Sequence, residues 1–169
     1  MIGILNSDDV FADVNVLARV AKEIIDGNLD AIYGDALVFS SRNRRRVVRR
    51  YSSRFFAPHT IGWGWMPAHP TLFLRRGLFD NFGLYQVSYR IAGDFELIAR
   101  FFKNKTVQYK YLPDILVHMA GGGISNSGLK SFFVLNVEVL RACKENKIST
   151  NILKIISKYP LKAWEYFSR

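Results

Sequence analysis

Residues 3–9 read GILNSDD: a short apolar run, Met1-Ile2-Gly3-Ile4-Leu5, closing on Asn6-Ser7-Asp8-Asp9. An apolar run ended by a polar turn predicts a buried strand. Adjacent carboxylates at the carboxyl end of such a strand are the oxygen donors that a hard divalent cation takes. A buried parallel strand needs neighbours. They are expected from later in the chain, or from a front part that the sequence lacks.

The rest of the composition fits one globular domain. The chain has 169 residues, 49% apolar and 14% aromatic, enough to bury a core and too apolar for disorder. No apolar run approaches the length of a transmembrane helix, and the acidic, non-basic start does not resemble a signal peptide. The single cysteine, Cys143, excludes an internal disulfide and fits a reducing cytoplasm. It falls in an amphipathic helical stretch with no nearby histidine, so packing is its expected role.

The net charge of +10 is the compositional oddity. Much of it lies in SSRNRRRVVRRYSSR, where Arg42, Arg44, Arg45, Arg46, Arg49, Arg50 and Arg54 cluster. Such a cluster suits phosphates, an anionic membrane surface or nucleic acid. It also suits a solvated hairpin edge, where charge prevents strand-to-strand aggregation. No nucleic-acid-binding motif accompanies it, so nucleic acid is not an expected partner.

Periodicity orders the remainder. FADVNVLARVAKEIIDG places Val16, Leu17, Val20, Ala21, Ile24 and Ile25 at helical spacing, with Gly27 as a stop. DAIYGDALVFS predicts a strand interrupted at Gly34-Asp35, and a second short strand follows at about Val47–Tyr51. APHTIGWGWMPAHP predicts an ordered loop. TLFLRRGLFDNFG begins as a strand and becomes a short helix ending near Gly83. AGDFELIARFFKN is a helix with a wide apolar face. TVQYKYLP and DILVHM predict two strands separated by Pro113-Asp114, and AGGGISNSG a flexible turn. From Leu129 onward, two amphipathic helices break near Ile148-Ser149. Strand–helix alternation makes this an α/β chain.

Three polar features stand out: the Asp8-Asp9 pair, Asp94 opening an apolar helix, and His118 at a strand end before three glycines. Taken singly, Asp8 and Asp9 fit a cap of the following helix, Asp94 a cap or dipole partner, and His118 a structural histidine. Together with their surroundings they carry a resemblance. GILNSDDVF, DAIYGDALVF, MPAHPTLFLRRGLFDNFGLY, IAGDFELIARF and YLPDILVHMAGGGIS, in this order, resemble the later part of a family 2 glycosyltransferase. The closest likeness is to the bacterial enzymes that build exopolysaccharide or O-antigen repeat units.

The resemblance covers about Ile2 to Ser127 and implies a GT-A fold: a mixed sheet flanked by helices. Residues 1–128 would be the C-terminal two-thirds of that domain and residues 129–169 a C-terminal helical extension. It implies a UDP- or GDP-sugar donor, a glycan or lipid-linked acceptor, Mg²⁺ or Mn²⁺, and inversion at the sugar carbon. Asp8 and Asp9 match the acidic motif that carries the metal to the donor diphosphate, with Asn6 where many relatives have a further acid. Asp94 matches the base, although its usual acidic neighbour is Gly93 here. His118 matches a position that in some relatives helps hold metal or diphosphate. GGGISNSG resembles a loop that orders over bound donor. Trp63 and Trp65 are candidates to stack on an acceptor sugar, or simply to pack the domain. His69 matches a recurrent position that shapes the acceptor pocket.

Against this family pattern, the segments that clasp base and ribose do not precede Met1, so about a third of the domain is expected to be absent. An incomplete gene product, a deliberate cut, or a chain completed by a partner or a second copy would each account for that. A different class of function follows: a non-catalytic remnant that binds a partner or a membrane surface. It draws on the arginine cluster and on the tail, where Lys154, Lys158 and Lys162 accompany Ile152, Ile155, Ile156, Trp164 and Phe167 in the manner of an interfacial helix. An ordinary closing helix explains the same tail. A glycoside hydrolase with paired carboxylates explains neither the adjacency of Asp8 and Asp9 nor the block order. The expected place is the cytoplasm, with peripheral contact at the inner face of the cell membrane.

Overall fold

The computed structural model describes residues 1–40, 46–121 and 128–164. Arg42, Arg44 and Arg45 of the basic cluster, residues 122–127 of the glycine-rich turn, and Phe167 of the tail lie outside the described residues. The chain divides into two compact units: Met1–Arg54, Pro67–Gly83 and Thr106–Gly121 form the first, and Phe55–Met66, Leu84–Lys105 and Gly122–Arg169 the second.

The first unit is a mixed sheet with helices α1 (Val16–Asp26) and α2 (Arg76–Phe82). Its central strand is β3 (Ala31–Phe39), which pairs in parallel with β6 (Tyr109–Ala120) along its length. The other edge of β3 is shared by two antiparallel partners: β5 (Phe73–Leu74) at Ala31–Ile32 and β4 (Val47–Tyr51) at Ala36–Phe39. Strand β1 (Ile2–Gly3) adds to β5, and β2 (Val10–Phe11) adds to β6, both antiparallel.

Gly34-Asp35 does not interrupt β3, and Pro113-Asp114 does not divide β6. Between the pairs Tyr33–Tyr111 and Asp35–Ile115 the chain advances two residues on β3 and four on β6. The proline therefore sits in a bulge, where no ladder hydrogen bond needs its missing N–H. Gly34 faces this bulge. A Cβ there would lie 2.7 Å from the Leu116 side chain and 2.9 Å from the Asp114 carbonyl oxygen.

Helix α1 presents Val16, Val20 and Ile24 to Ile32, Phe73, Leu112, Leu116 and Val117, forming the core of this unit. Leu17 and Ile25, which the periodicity placed on the same face, are exposed. The opening run also departs from expectation. Ile2-Gly3 is a two-residue antiparallel end strand, not a buried parallel one, and Met1, Ile4 and Leu5 are exposed. Its hydrogen-bonded neighbour among the described residues is β5 alone, so apolar composition does not bury it.

The second unit is helical: a 3₁₀ segment Pro58–Trp63, α3 (Gly93–Phe102), α4 (Leu129–Glu145) and α5 (Ile152–Trp164). Helix α3 buries Phe95, Leu97, Ile98, Phe101 and Phe102. Its one buried acid, Glu96, is held by the Arg100 guanidinium at 2.9 and 3.0 Å and by Asn146 at 3.3 Å, the pairing that a buried charge requires. Cys143 is buried as expected, and burial pushes its thiol up to about 11.

Helix α5 packs on α4 through Phe132 and Tyr159, whose rings lie 5.0 Å apart. Ile155 is fully buried, and Lys158 is buried with its Nζ donating to the Gly64 carbonyl at 2.9 Å. These two residues of the expected interfacial stripe thus face the protein, while Ile152, Leu153 and Ile156 remain exposed. Among the described residues no helix is long and apolar enough to cross a membrane. The expected α/β architecture, a mixed sheet with flanking helices and helices toward the C-terminus, is present.

Candidate active site

In the first unit the Asn6–Asp9 turn leads into β2. The turn closes through the Asp9 N–H on the Asn6 carbonyl at 3.1 Å. The buried Asp9 carboxylate is then occupied on both oxygens, by Asn6 Nδ2 at 2.8 Å and by the Ala120 N–H at 2.9 Å. Asn6 therefore serves here as a donor that orients Asp9. Asp8 is exposed. Neither residue caps α1, which starts at Val16 after Asn15.

Val10 pairs with His118, and the His118 ring meets Phe39 edge-on at 5.0 Å. Asp8, Asp9 and His118 are thus carried to the carboxyl end of the parallel β3–β6 pair, the end at which open α/β sheets bind ligands. Gly121 closes this end. Its N–H donates to the Phe39 carbonyl at 2.8 Å, and a Cβ would stand 2.6 Å from that oxygen.

Among the described residues no three His, Cys, Asp or Glu side chains form a metal-binding group. With Asp8 open and Asp9 partly engaged, the donor set does not make an all-protein cage. It fits a cation that binds one or two carboxylates and takes its remaining oxygens from water and substrate phosphates.

His69 opens a 3₁₀ turn, His69–Thr71, pinned to β3 at Gly34. The Thr71 hydroxyl lies 2.8 Å from the Gly34 carbonyl and 2.7 Å from that of Ala68. The Ser53 hydroxyl donates to the same Gly34 carbonyl at 2.6 Å and accepts from the Ala68 N–H at 3.0 Å. Half-buried His69 is held in place by its neighbours' bonds.

Sequence reasoning missed Asp35. It is fully buried and receives Arg50 at 2.6 Å, the Ser53 N–H at 2.8 Å and the Tyr111 hydroxyl at 2.9 Å. The hairpin edge is therefore not simply solvated: Arg50 reaches inward to an acid, and Arg49 lies 5.2 Å over the Tyr51 ring. An acid interrupting an apolar strand ahead of an arginine-rich one was the available signal for this pair.

The remaining predicted residues belong to the second unit. Trp63 is exposed, with Lys154 Nζ 5.5 Å from its ring, and Trp65 is half-buried with Phe55 at 6.0 Å. Both aromatic faces thus already have partners. Asp94 lies half-buried in the first turn of α3 and accepts a hydrogen bond from Tyr85. Burial, then the charge and hydrogen bond of Asp94, push the Tyr85 phenol up, so it remains a donor.

The segment leading to α3 lies along α4. Glu138 accepts three backbone bonds at 2.8 Å, from the N–H groups of Arg90, Ile91 and Ala92. Burial raises its carboxyl, but the three donors outweigh that and hold it below its usual range. Glu145 accepts from the Tyr89 hydroxyl at 2.6 Å and from Arg141 at 2.7 Å, and these bonds lower it as well. An open groove of about 530 Å³ on this unit is lined by Leu140, Arg141, Lys144 and residues 147–150. None of the candidate site residues named from the sequence lines it.

No protein-family model matches the chain. Among curated proteins it is similar to a "PGL/p-HBAD biosynthesis glycosyltransferase" of Mycobacterium bovis (strain BCG / Pasteur 1173P2), 29% identical over 125 residues, 73% of this chain and 46% of the relative. A protein of the same description from Mycobacterium tuberculosis (strain ATCC 25177 / H37Ra) matches to the same extent, 29% over 125 residues. The chain thus spans about half the length of these relatives.

Proposed function

We propose that this chain carries the chemistry-bearing part of an inverting, metal-dependent glycosyltransferase of the GT-A, family 2 kind. The observation that carries the reading is the 125-residue match to the mycobacterial glycosyltransferases. The turn that orients Asp9 at the carboxyl end of two parallel strands supports it. The donor is a UDP- or GDP-sugar, and the acceptor a glycan or lipid-linked hydroxyl. The relatives' description as a biosynthesis glycosyltransferase supports a biosynthetic setting, and bacterial surface polysaccharide is the one proposed here.

Asp8, by its open carboxylate, and Asp9, from its fixed one, would hold the Mg²⁺ or Mn²⁺ that accompanies the donor diphosphate. His118 lies on the strand that pairs with Val10, and its imidazole would favour Mn²⁺ over Mg²⁺. Such an ion, when bound, would supply Lewis-acid stabilisation of the negative charge that develops on the leaving diphosphate. Asp94 takes the proton from the acceptor hydroxyl as its oxygen bonds to the anomeric carbon. The carbon–diphosphate bond breaks on the opposite side, which inverts the anomeric configuration. Tyr85 fixes the Asp94 carboxylate, leaving acceptor capacity for the incoming proton. For acceptor recognition the candidates are Trp63 and Trp65 on the second unit and His69 on the first.

The work is cytoplasmic, with peripheral contact at the inner membrane face. Exposed Ile152, Leu153 and Ile156 beside Lys154 on α5 support that contact. The test is transfer from labelled UDP- and GDP-sugars to a panel of glycan and lipid-linked acceptors, with and without Mn²⁺, reading the product anomer by NMR. Metal-dependent transfer with inversion is expected. Transfer with retention, or hydrolysis insensitive to Asp94→Asn, overturns the reading.

A further inference from the structure

The start of α3 has no cap of its own. Its N-cap residue is Ala92, which has no side chain to accept the orphan N–H groups that begin every helix. Their neighbours are captured from outside instead. Both oxygens of Glu138 are committed to the N–H groups of Arg90, Ile91 and Ala92, each at 2.8 Å. Two further residues of the same face of α4 extend the hold, since spacings of three and four align them along a helix. The Arg141 guanidinium lies 4.5 Å over the Tyr89 ring and donates to the Ser88 hydroxyl at 3.1 Å. Glu145 takes the Tyr89 hydroxyl at 2.6 Å. The whole segment Ser88–Ala92 is laid along α4, and two residues later comes Asp94. The negative charge of Glu138 also sits where a helix start favours one.

We propose that Glu138 is a positioning residue for Asp94: it fixes the approach to α3, and so the direction in which the Asp94 carboxylate points. The proposal rests on the reading of Asp94 as the base. Glu138 itself touches no reacting atom. It acts as an external cap supplied from α4, and a helix start released from it displaces Asp94 relative to its Tyr85 partner. A displacement of about 1 Å at a reacting group lowers a rate on the order of 100-fold.

The test compares the full chain with Glu138→Ala, Glu138→Gln, Asp94→Asn and Asp94→Ala. The first readout is the ¹³Cζ signal of Tyr85 in tyrosine-labelled protein, which reports the Tyr85–Asp94 hydrogen bond without any turnover. In Glu138→Ala it should move toward its position in Asp94→Ala, which removes the acceptor, with the Arg90–Ala92 amides exchanging faster. Glu138→Gln should move it less, because the amide oxygen still accepts from Ile91 and Ala92 but the NH₂ cannot accept from Arg90. The second readout is transfer. Glu138→Ala should lower kcat roughly 10- to 100-fold with donor KM little changed. A Tyr85 signal that stays in place, or a kcat unchanged while the amides lose protection, overturns the proposal. If Asp94→Asn itself transfers normally, the base assignment fails, and the Tyr85 signal still reports whether Glu138 places that carboxylate.

Discussion

In the first unit the buried carboxylates are closed. Asp9 has a donor on each oxygen, and Asp35 has Arg50, Ser53 and Tyr111 around it with no exposure left. In the second unit the candidate base is half open. Asp94 has a tyrosine partner and solvent access, and its stiffness comes from Glu138, a neighbour that holds the backbone instead of the carboxylate. A sheet can fix an acid directly, because the strands on either side bring backbone and side-chain donors to it. A helix start offers few such donors to a residue that must stay accessible, so the fixing is done one step away. The acids therefore divide by role. Asp35 and Glu138 hold structure, Asp9 is an acid fixed by its donors beside the open Asp8, and Asp8 and Asp94 face outward.

That division can be broken or sharpened by substitution. The largest effect is expected at Asp94. Asp94→Asn should lower transfer by about 10²- to 10⁴-fold, the usual contribution of a general base, with thermal unfolding unchanged. A comparable loss of stability would place Asp94 with the closed acids. Next comes Asp35→Ala, which strands the buried Ser53 N–H and takes one of two partners from the Tyr111 hydroxyl, while half-exposed Arg50 turns to water. Denaturant unfolding should show a loss of about 2–3 kcal/mol. An unperturbed midpoint would mean the cluster is not a structural lock.

Gly34→Ala should cost about 1–2 kcal/mol through overpacking against Leu116 and the Asp114 carbonyl, read in the same experiment. Smallest is the pH effect. Glu138 and Glu145 are held below their ordinary values in the fold, so the unfolded chain binds protons first on acidification. Their contribution is full above the usual carboxylate pKa and is lost as pH falls through the lowered values. Amide protection at Arg90–Ala92 should therefore drop on acidification in the wild type and be weak at all pH values in Glu138→Ala. Protection that is pH-independent would contradict the clamp.

Much of the architecture is written locally. Val16, Val20 and Ile24 announce the buried face of α1, Gly27 and Gly83 mark helix ends, and the Val47–Tyr51 strand lies where it was expected. What local pattern could not supply is pairing. Ile2–Leu5 has the composition of a core strand, but one neighbour at the sheet end leaves it exposed. Pro113 has the look of a break, but a bulge opposite Gly34 absorbs it.

The candidate site divides in the same way. Asp8, Asp9 and His118 were legible as residue types in an ordered set of blocks, yet the difference between open Asp8 and enclosed Asp9 depends on Ala120, far along the chain. Asp35 and Glu138 had weaker signals. Glu138 in particular sits in an ordinary amphipathic helix, and its partners are backbone amides that carry no side-chain signature.

The measurement that tests the central claim most directly is calorimetric titration of the chain with UDP and GDP, with and without Mn²⁺, in wild type and in Asp8→Ala. Asp8 is the residue to change, because Asp9→Ala would also release Asn6 and Ala120 and confuse binding with folding. The account predicts Mn²⁺-dependent binding of one nucleotide, lost in Asp8→Ala while thermal unfolding stays unchanged. Binding of neither nucleotide with Mn²⁺, or binding indifferent to Asp8→Ala, would contradict it.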